Sequence, residues 1–190
     1  MNLAKNSFAI VLAAGKSKRL GKPKALLDCG NKTLIQFIVD RLESLNLGVV
    51  VITNSDLKRS ITKSLESNKA TIIVPENTSH RTGNLITGLK AIKNPEKILV
   101  VPIDRPGWSL DTIKLLLNMD ETCCPEFQGK GGHPLLICKE DLEKLSKTPI
   151  ETPLNTIFVA KKISVMDSFL HLNIDTPQDI NLLNKFINKI

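Results

Sequence analysis

The chain has 190 residues, 42% hydrophobic and 24% charged, a balance that suits one soluble domain over 1–190 and excludes a disordered chain, a coiled coil or a collagen-like repeat. Lys and Arg number 26 against 19 acidic residues, and the net +7 favours anionic partners such as nucleotides, phosphates, nucleic acid or a membrane surface. Six Phe, one Trp and no Tyr leave few rings for stacking single strands, and no apolar run approaches the roughly 18 residues of a membrane span, so neither nucleic acid nor membrane is an expected partner.

Lys5 followed by the apolar run Phe8 to Ala14 has the outline of a short signal peptide. The run leads straight into a Gly- and Lys-rich loop, so it reads instead as a buried central strand, Phe8 to Leu12. Leu34, Phe37, Ile38, Leu42 and Leu45 recur at helical steps and predict a helix that closes near Gly48. Val49 to Thr53 is a second strand. Ile61 and Leu65 lie on a helix that Ser55 or Asp56 would cap. Thr71 to Val74 is a third strand, stopped by Pro75. Leu85, Leu89 and Ile92 mark the next helix, Ile98 to Val101 a fourth strand, and Leu110, Ile113, Leu116 and Leu117 a further helix. Cys123 and Cys124 would face opposite sides of a strand. Pro134 to Cys138 and Ile157 to Val165 look extended, Lys147 to Asn155 is the loosest stretch, and Gln178 to Ile190 closes the chain as a helix. Alternating strands and helices predict an α/β fold, a mostly parallel sheet with helices on both faces, whose ligands bind beyond the strand ends. The four cysteines form no C-x-x-C, so they read as free thiols in a reducing cytoplasm.

The segment Leu12 to Lys24 follows the first strand directly and holds five basic residues and no acidic one. Small residues there let backbone N–H groups approach a phosphate, and the cations neutralise it. The spacing is neither a Walker loop nor a dinucleotide fingerprint. Asp104, just past the fourth strand, is placed to hold a cation at the sheet edge. His171 to Asp179 combines Asp175, Thr176, Pro177 and Asp179 ahead of the last helix, where an acid also favours the dipole. Gly129 to Pro134 supplies glycines for close approach beside a lone His133.

Together these segments resemble the MobA-like NTP transferase family, closest to its molybdenum cofactor cytidylyltransferase branch. Leu12, Ala13, Ala14, Gly15, Ser17, Arg19, Leu20, Gly21 and Lys24 match the signature, and the resemblance spans about residues 7 to 188. It implies a three-layer α/β/α, Rossmann-like nucleotidyltransferase fold of the nucleotide-diphospho-sugar transferase type. It implies that Leu12, Ala13, Ala14, Gly15, Lys16, Ser17, Arg19, Lys24 and Asn84 surround a nucleoside triphosphate, with Arg19 and Lys24 on its phosphates. Asp104 and Asp175 would share one Mg²⁺, and Gly132 and His133 would line the acceptor pocket, His133 offering a hydrogen bond or a phosphate contact. Ala14 leans towards CTP, since its methyl narrows the base pocket. The implied reaction moves CMP to the terminal phosphate of molybdopterin or its molybdenum-loaded form, releasing pyrophosphate, in a cytoplasmic enzyme that touches a molybdoenzyme or its chaperone transiently. Arg105 departs from the family pattern, and either adds a phosphate contact or points to solvent. His80 also departs, and Glu151 to Thr156 replaces the branch's usual acceptor segment. Guanylyl transfer to molybdopterin, transfer to a sugar or alcohol phosphate, and a non-catalytic nucleotide-binding protein are the alternatives.

Overall fold

The computed structural model describes residues 6–76 and 80–190; Lys5 lies outside them. In chain order the elements are β1 (Ser7–Leu12), α1 (Leu34–Glu43), β2 (Gly48–Ile52), α2 (Ser55–Ser64), β3 (Thr71–Ile73), α3 (Arg81–Lys90), β4 (Lys97–Pro102) and α4 (Leu110–Leu117). Then follow β5 (Cys123–Phe127), β6 (Lys130–Gly131), β7 (Leu135–Cys138), α5 (Lys139–Ser146), β8 (Lys161–Ser164) and α6 (Asp179–Ile187). The sheet runs β3-β2-β1-β4-β7-β5-β6, with β8 paired to β5. Its first four strands are mutually parallel, β7 is antiparallel to β4, and β8 is parallel to β5.

Side chains alternate along each strand, so two cores form. Ala9, Val11, Val49, Val51, Leu99 and Val101 pack under α1, α2, α4 and α6. Ile10, Val50, Ile52, Ile98 and Val100 pack against α3 and α5. This is the expected three-layer Rossmann-like arrangement. No helix among the described residues is long and apolar enough to cross a membrane.

Four details differ from the sequence expectation. The first is the α2 cap, which is Asn54 and neither Ser55 nor Asp56: its Oδ1 accepts from Leu57 N at 3.0 Å. The second is α5, which carries only Leu142 and Leu145 as buried residues among six polar ones, too weak a period to be seen. In the third, Arg81 opens α3 four residues before the first apolar marker, Leu85. The last is the predicted extended run Ile157 to Val165, which shrinks to Lys161–Ser164 because Ile157 ends a 3₁₀ turn and is buried in the second core.

Candidate active site

Parallel strands align their C-terminal ends, and here those ends meet in register. Leu12 of β1 lies opposite Ile52 of β2 and Pro102 of β4. The chains stay joined one step further: Ala13 N donates to Ile52 O at 2.8 Å, and Ile103 N donates to Leu12 O at 3.1 Å. The loop after β1 is built as a tight turn. Ser17 takes a left-handed φ of 49°, its carbonyl accepts from Leu20 N and Gly21 N, and Gly21 follows at φ 75°. Buried Leu20 anchors the turn, and Ser17 Oγ accepts from Lys24 N at 3.1 Å. Asn54, having spent its oxygen on the α2 cap, donates from Nδ2 to Ala14 O at 3.1 Å. The basic loop is thus held as a cradle by backbone bonds rather than left as a solvated tail.

The acids arrive from two other elements. Asp104 follows β4, and Asp175 precedes α6. Asp104 O accepts from Ile174 N at 3.0 Å, so the two acidic segments are tied by their main chains. Lys24 Nζ donates to Asp175 Oδ1 at 2.6 Å and to Asp104 Oδ2 at 3.3 Å, bridging both carboxylates. Arg19 adds a pair to Asp175 Oδ1 at 3.1 Å. Lys24 is only 12% exposed and Arg19 is 73% exposed, so the lysine pair is the better shielded of the two. Hydrogen bonding from Lys24, then from Asn173, holds the Asp175 carboxyl below the usual carboxylate range. Asp179 is held low in the same direction, because its Oδ2 accepts from Asp175 N, Thr176 N and Thr176 Oγ1.

Two cavities open at this edge. The smaller, of about 210 Å³, is lined by Leu12, Ala14, Gly15, Ser17, Lys24, Asn84 and Asp104 among others. The larger, of about 700 Å³, is walled largely by apolar side chains such as Val100, Leu135, Ile150, Leu154 and Phe158, and includes Gly132 and His133. Leu12, Pro102 and Arg81 line both. Three of the residues expected at the nucleotide line neither cavity. Ala13 is 2% exposed and belongs to the first core, and the side chains of Lys16 and Arg19 are exposed. The stretch Lys147 to Asn155 runs as turns and bends into the 3₁₀ turn Leu154–Thr156. Thr82 Oγ1 donates to Thr152 O at 2.6 Å, which pins this stretch to the start of α3 as a wall of the larger cavity.

Burial, then Arg105 and Arg81, push the His133 imidazole down to about 4 against the pull of Asp104. It is neutral near pH 7, and its buried Nδ1 has no hydrogen-bond partner among the described residues. Of the two roles expected for it, this favours hydrogen bonding over cationic phosphate contact. All four cysteines are free thiols, with Cys29 and Cys123 pushed up to about 12 by burial. Among the described residues no group of three or more His, Cys, Asp or Glu forms a metal cluster. Sequence reasoning missed Asn54 and Arg81 at the site; the one available hint was for Asn54, a polar residue just past the end of β2.

Comparison with known proteins identifies the family and the fold. The family model for the MobA-like NTP transferase domain matches residues 9–165. A "probable molybdenum cofactor guanylyltransferase" of Bacillus mycoides (strain KBAB4) is 34% identical over 136 residues, 67% of this chain and 64% of that protein's own length. One with the same name from Bacillus cereus (strain AH820) is 27% identical over 190 residues, covering 90% of this chain and 92% of that protein. A Mycobacterium tuberculosis H37Rv protein solved in complex with manganese superposes with a TM-score of 0.78 at 16% identity, covering 95% of this chain and 99% of that one. With the family model covering most of the chain and the strand-edge cradle in place, the chain belongs to the MobA-like NTP transferase family of nucleotidyltransferases.

Proposed function

We propose that this nucleotidyltransferase moves a nucleoside monophosphate from a nucleoside triphosphate, GTP first, to the phosphate of a molybdopterin-type acceptor. The observation that carries the reading is a pair of neighbouring cavities at one sheet edge: a small polar cradle and a larger apolar cleft that share Leu12, Pro102 and Arg81 in their walls. A triphosphate suits the first and a flat ring system bearing a phosphate suits the second. An acceptor phosphate oxygen attacks the α-phosphorus, the bond from that phosphorus to the β-phosphate oxygen breaks, and pyrophosphate leaves. A phosphate monoester is largely ionised at pH 7, so the attack needs no strong base. The chain's own contribution is alignment and charge neutralisation. Lys24 and Arg19 exchange their carboxylate partners for phosphate oxygens, and neutral His133 stands in the wall of the acceptor cleft.

Asp104 and Asp175 fit a hard divalent cation. Both are carboxylates, and one ammonium already spans them at 2.6 and 3.3 Å. When bound there, Mg²⁺ would supply charge neutralisation to the phosphates. That the mycobacterial protein of similar fold was solved in complex with manganese supports a divalent cation here. The guanylyltransferase name of both Bacillus relatives supports GTP as donor. Ala14 on the wall of the smaller cavity favours CTP as the second reading. Pyrophosphate release with GTP, CTP, ATP and UTP, each with Mg²⁺ and with or without molybdopterin, tests both. Acceptor-dependent release with GTP is expected. Release with CTP instead reverses the donor, and release with none of the four removes the transferase reading.

A further inference from the structure

Bringing a triphosphate and a phosphorylated acceptor to bonding distance places two anions side by side, and their repulsion opposes the reaction at the point of attack. The chain needs positive charge at the seam between its two cavities, not only within the triphosphate cradle. Of the three residues that line both cavities, Leu12 and Pro102 are apolar and Arg81 alone is charged.

Arg81 also has charge to spare, and the other unpaired cations among the described residues nearby, Arg105 and the loop lysines Lys16, Lys18 and Lys22, line neither cavity. Lys24 is paired with Asp104 and Asp175 and Arg19 with Asp175, and in the proposed reaction both turn to the donor's phosphates. Among the described residues, no carboxylate lies within 4 Å of the Arg81 guanidinium and no hydrogen bond engages it; the exposed Glu151, which shares the larger cavity, is not paired with it. Arg81 is exposed, but the backbone that carries it is held in place. Arg81 is the first residue of α3, whose start is clamped by Thr82 Oγ1 on Thr152 O and by Gly83 packed against Ile150. A Cβ added at Gly83 would meet Ile150 Cβ at 3.2 Å, so the helix sits close against the cavity wall. His80, ahead of it, makes no side-chain cap, and the first turn holds no acid to draw the guanidinium away.

We propose that Arg81 is a phosphate-bridging residue shared by both substrates, its planar fork holding an oxygen of the donor's α-phosphate and an oxygen of the acceptor's phosphate at once. A guanidinium presents five N–H donors in a fixed plane and can serve two phosphates together, which a lysine ammonium does only as a point charge. This assignment rests on the transferase reading for the identity of the second anion, but not for the first.

The test separates the two. Calorimetry measures binding of α,β-methylene-GTP, and separately of molybdopterin, to the wild type, Arg81→Ala, Arg81→Lys and Lys90→Ala. Lys90 is exposed at the far end of the same helix, and its loss controls for net charge. Arg81→Ala should weaken both ligands by roughly tenfold or more, as expected for losing a charge-assisted hydrogen bond to each. Arg81→Lys should recover part of both, and Lys90→Ala should leave both within about twofold. In pyrophosphate release, Arg81→Ala should lower kcat and raise KM for donor and acceptor together. Weakening of one ligand alone assigns Arg81 to one cavity and overturns the bridging role, as does binding unchanged from wild type. If the wild type binds the nucleotide but neither molybdopterin nor any acceptor-dependent turnover is found, the transferase reading fails on its acceptor. An Arg81→Ala effect on the nucleotide would then remain as a donor contact only, and the bridge would be lost.

Discussion

Lys24 faces two carboxylates and a phosphate-sized cavity at the same time, so its charge has to change partners when substrates arrive. A divalent cation entering between Asp104 and Asp175 competes with the ammonium, whereas a triphosphate gives the ammonium somewhere to go. Mn²⁺ titrated into Lys24→Met without nucleotide, followed by the resonance of the free ion, should therefore bind more tightly than to the wild type. Triphosphate binding to the same variant should weaken by roughly ten- to a hundredfold, while Lys22→Ala, exposed on the same loop, should cost much less. Weaker Mn²⁺ binding in Lys24→Met would show that the lysine organises the carboxylates instead of competing for them. Asp104→Asn and Asp175→Asn should each remove turnover and leave the circular dichroism spectrum unchanged. His133 carries a separate prediction on stability. Its folded value of about 4 lies below the ordinary 6.5, so the unfolded chain takes up the proton first. The stability that depends on a neutral His133 is whole above pH 6.5 and lost as pH falls towards 4. Urea midpoints at pH 7 and pH 5 should differ more for the wild type than for His133→Gln; equal differences would mean the imidazole is not buried uncharged.

At the scale of elements, the start of α6 does two jobs with one side chain. Asp179 opens the helix, where a carboxylate also complements the helix dipole, and reaches back to the amides of Asp175 and Thr176 and to the Thr176 hydroxyl. Asp179→Ala should cost about 1 kcal/mol in chemical denaturation, as for other lost helix-start acceptors. It should also weaken triphosphate binding, because Asp175 then loses the backbone anchor that aims it at Lys24. A stability loss with binding intact would confine Asp179 to the helix. The acidic helix start was legible from Asp175-Thr176-Pro177-Gln178-Asp179, since capping chemistry is local. The α2 cap was misplaced by one or two residues because Asn54, Ser55 and Asp56 are all competent caps, and the bond from Asn54 to Ala14 O, which couples α2 to the site, spans 40 residues.

Across the whole molecule, Arg41 joins the parts that carry the acids. Its guanidinium lies 4.2 Å from the Trp108 ring, 5.2 Å from Phe37 and 5.6 Å from Phe186, and donates to Trp108 O at 2.5 Å and Pro106 O at 3.4 Å. It thereby fastens α1 to the loop behind Asp104 and to α6 behind Asp175. Burial lowers it to about 10, which still leaves it charged at neutral pH. Arg41→Ala should cost roughly 3 kcal/mol by urea denaturation, from lost charge-assisted bonds and ring contacts. Arg41→Lys should recover only part, and an unchanged midpoint in Arg41→Ala would reduce the cluster to surface stacking.

The sequence by itself determined the strand and helix order as far as α4, the two-sided sheet and the basic loop after β1. Each of these is written in neighbours: period-two and period-3.6 burial, and one unbroken signature from Leu12 to Lys24. It also named Asp104 and Asp175, each from its own short motif. Only the tertiary structure decided that Lys24 spans both acids, since that depends on β4 lying beside β1 and on α6 returning to the same edge. The same holds for Arg81 and the Lys147 to Asn155 wall, which carry no local pattern and acquire meaning only where two cavities meet. Ala13 shows the converse. It matches the signature as well as Ala14 does, yet strand alternation turns its methyl into the core, and a motif match cannot report which way a side chain faces.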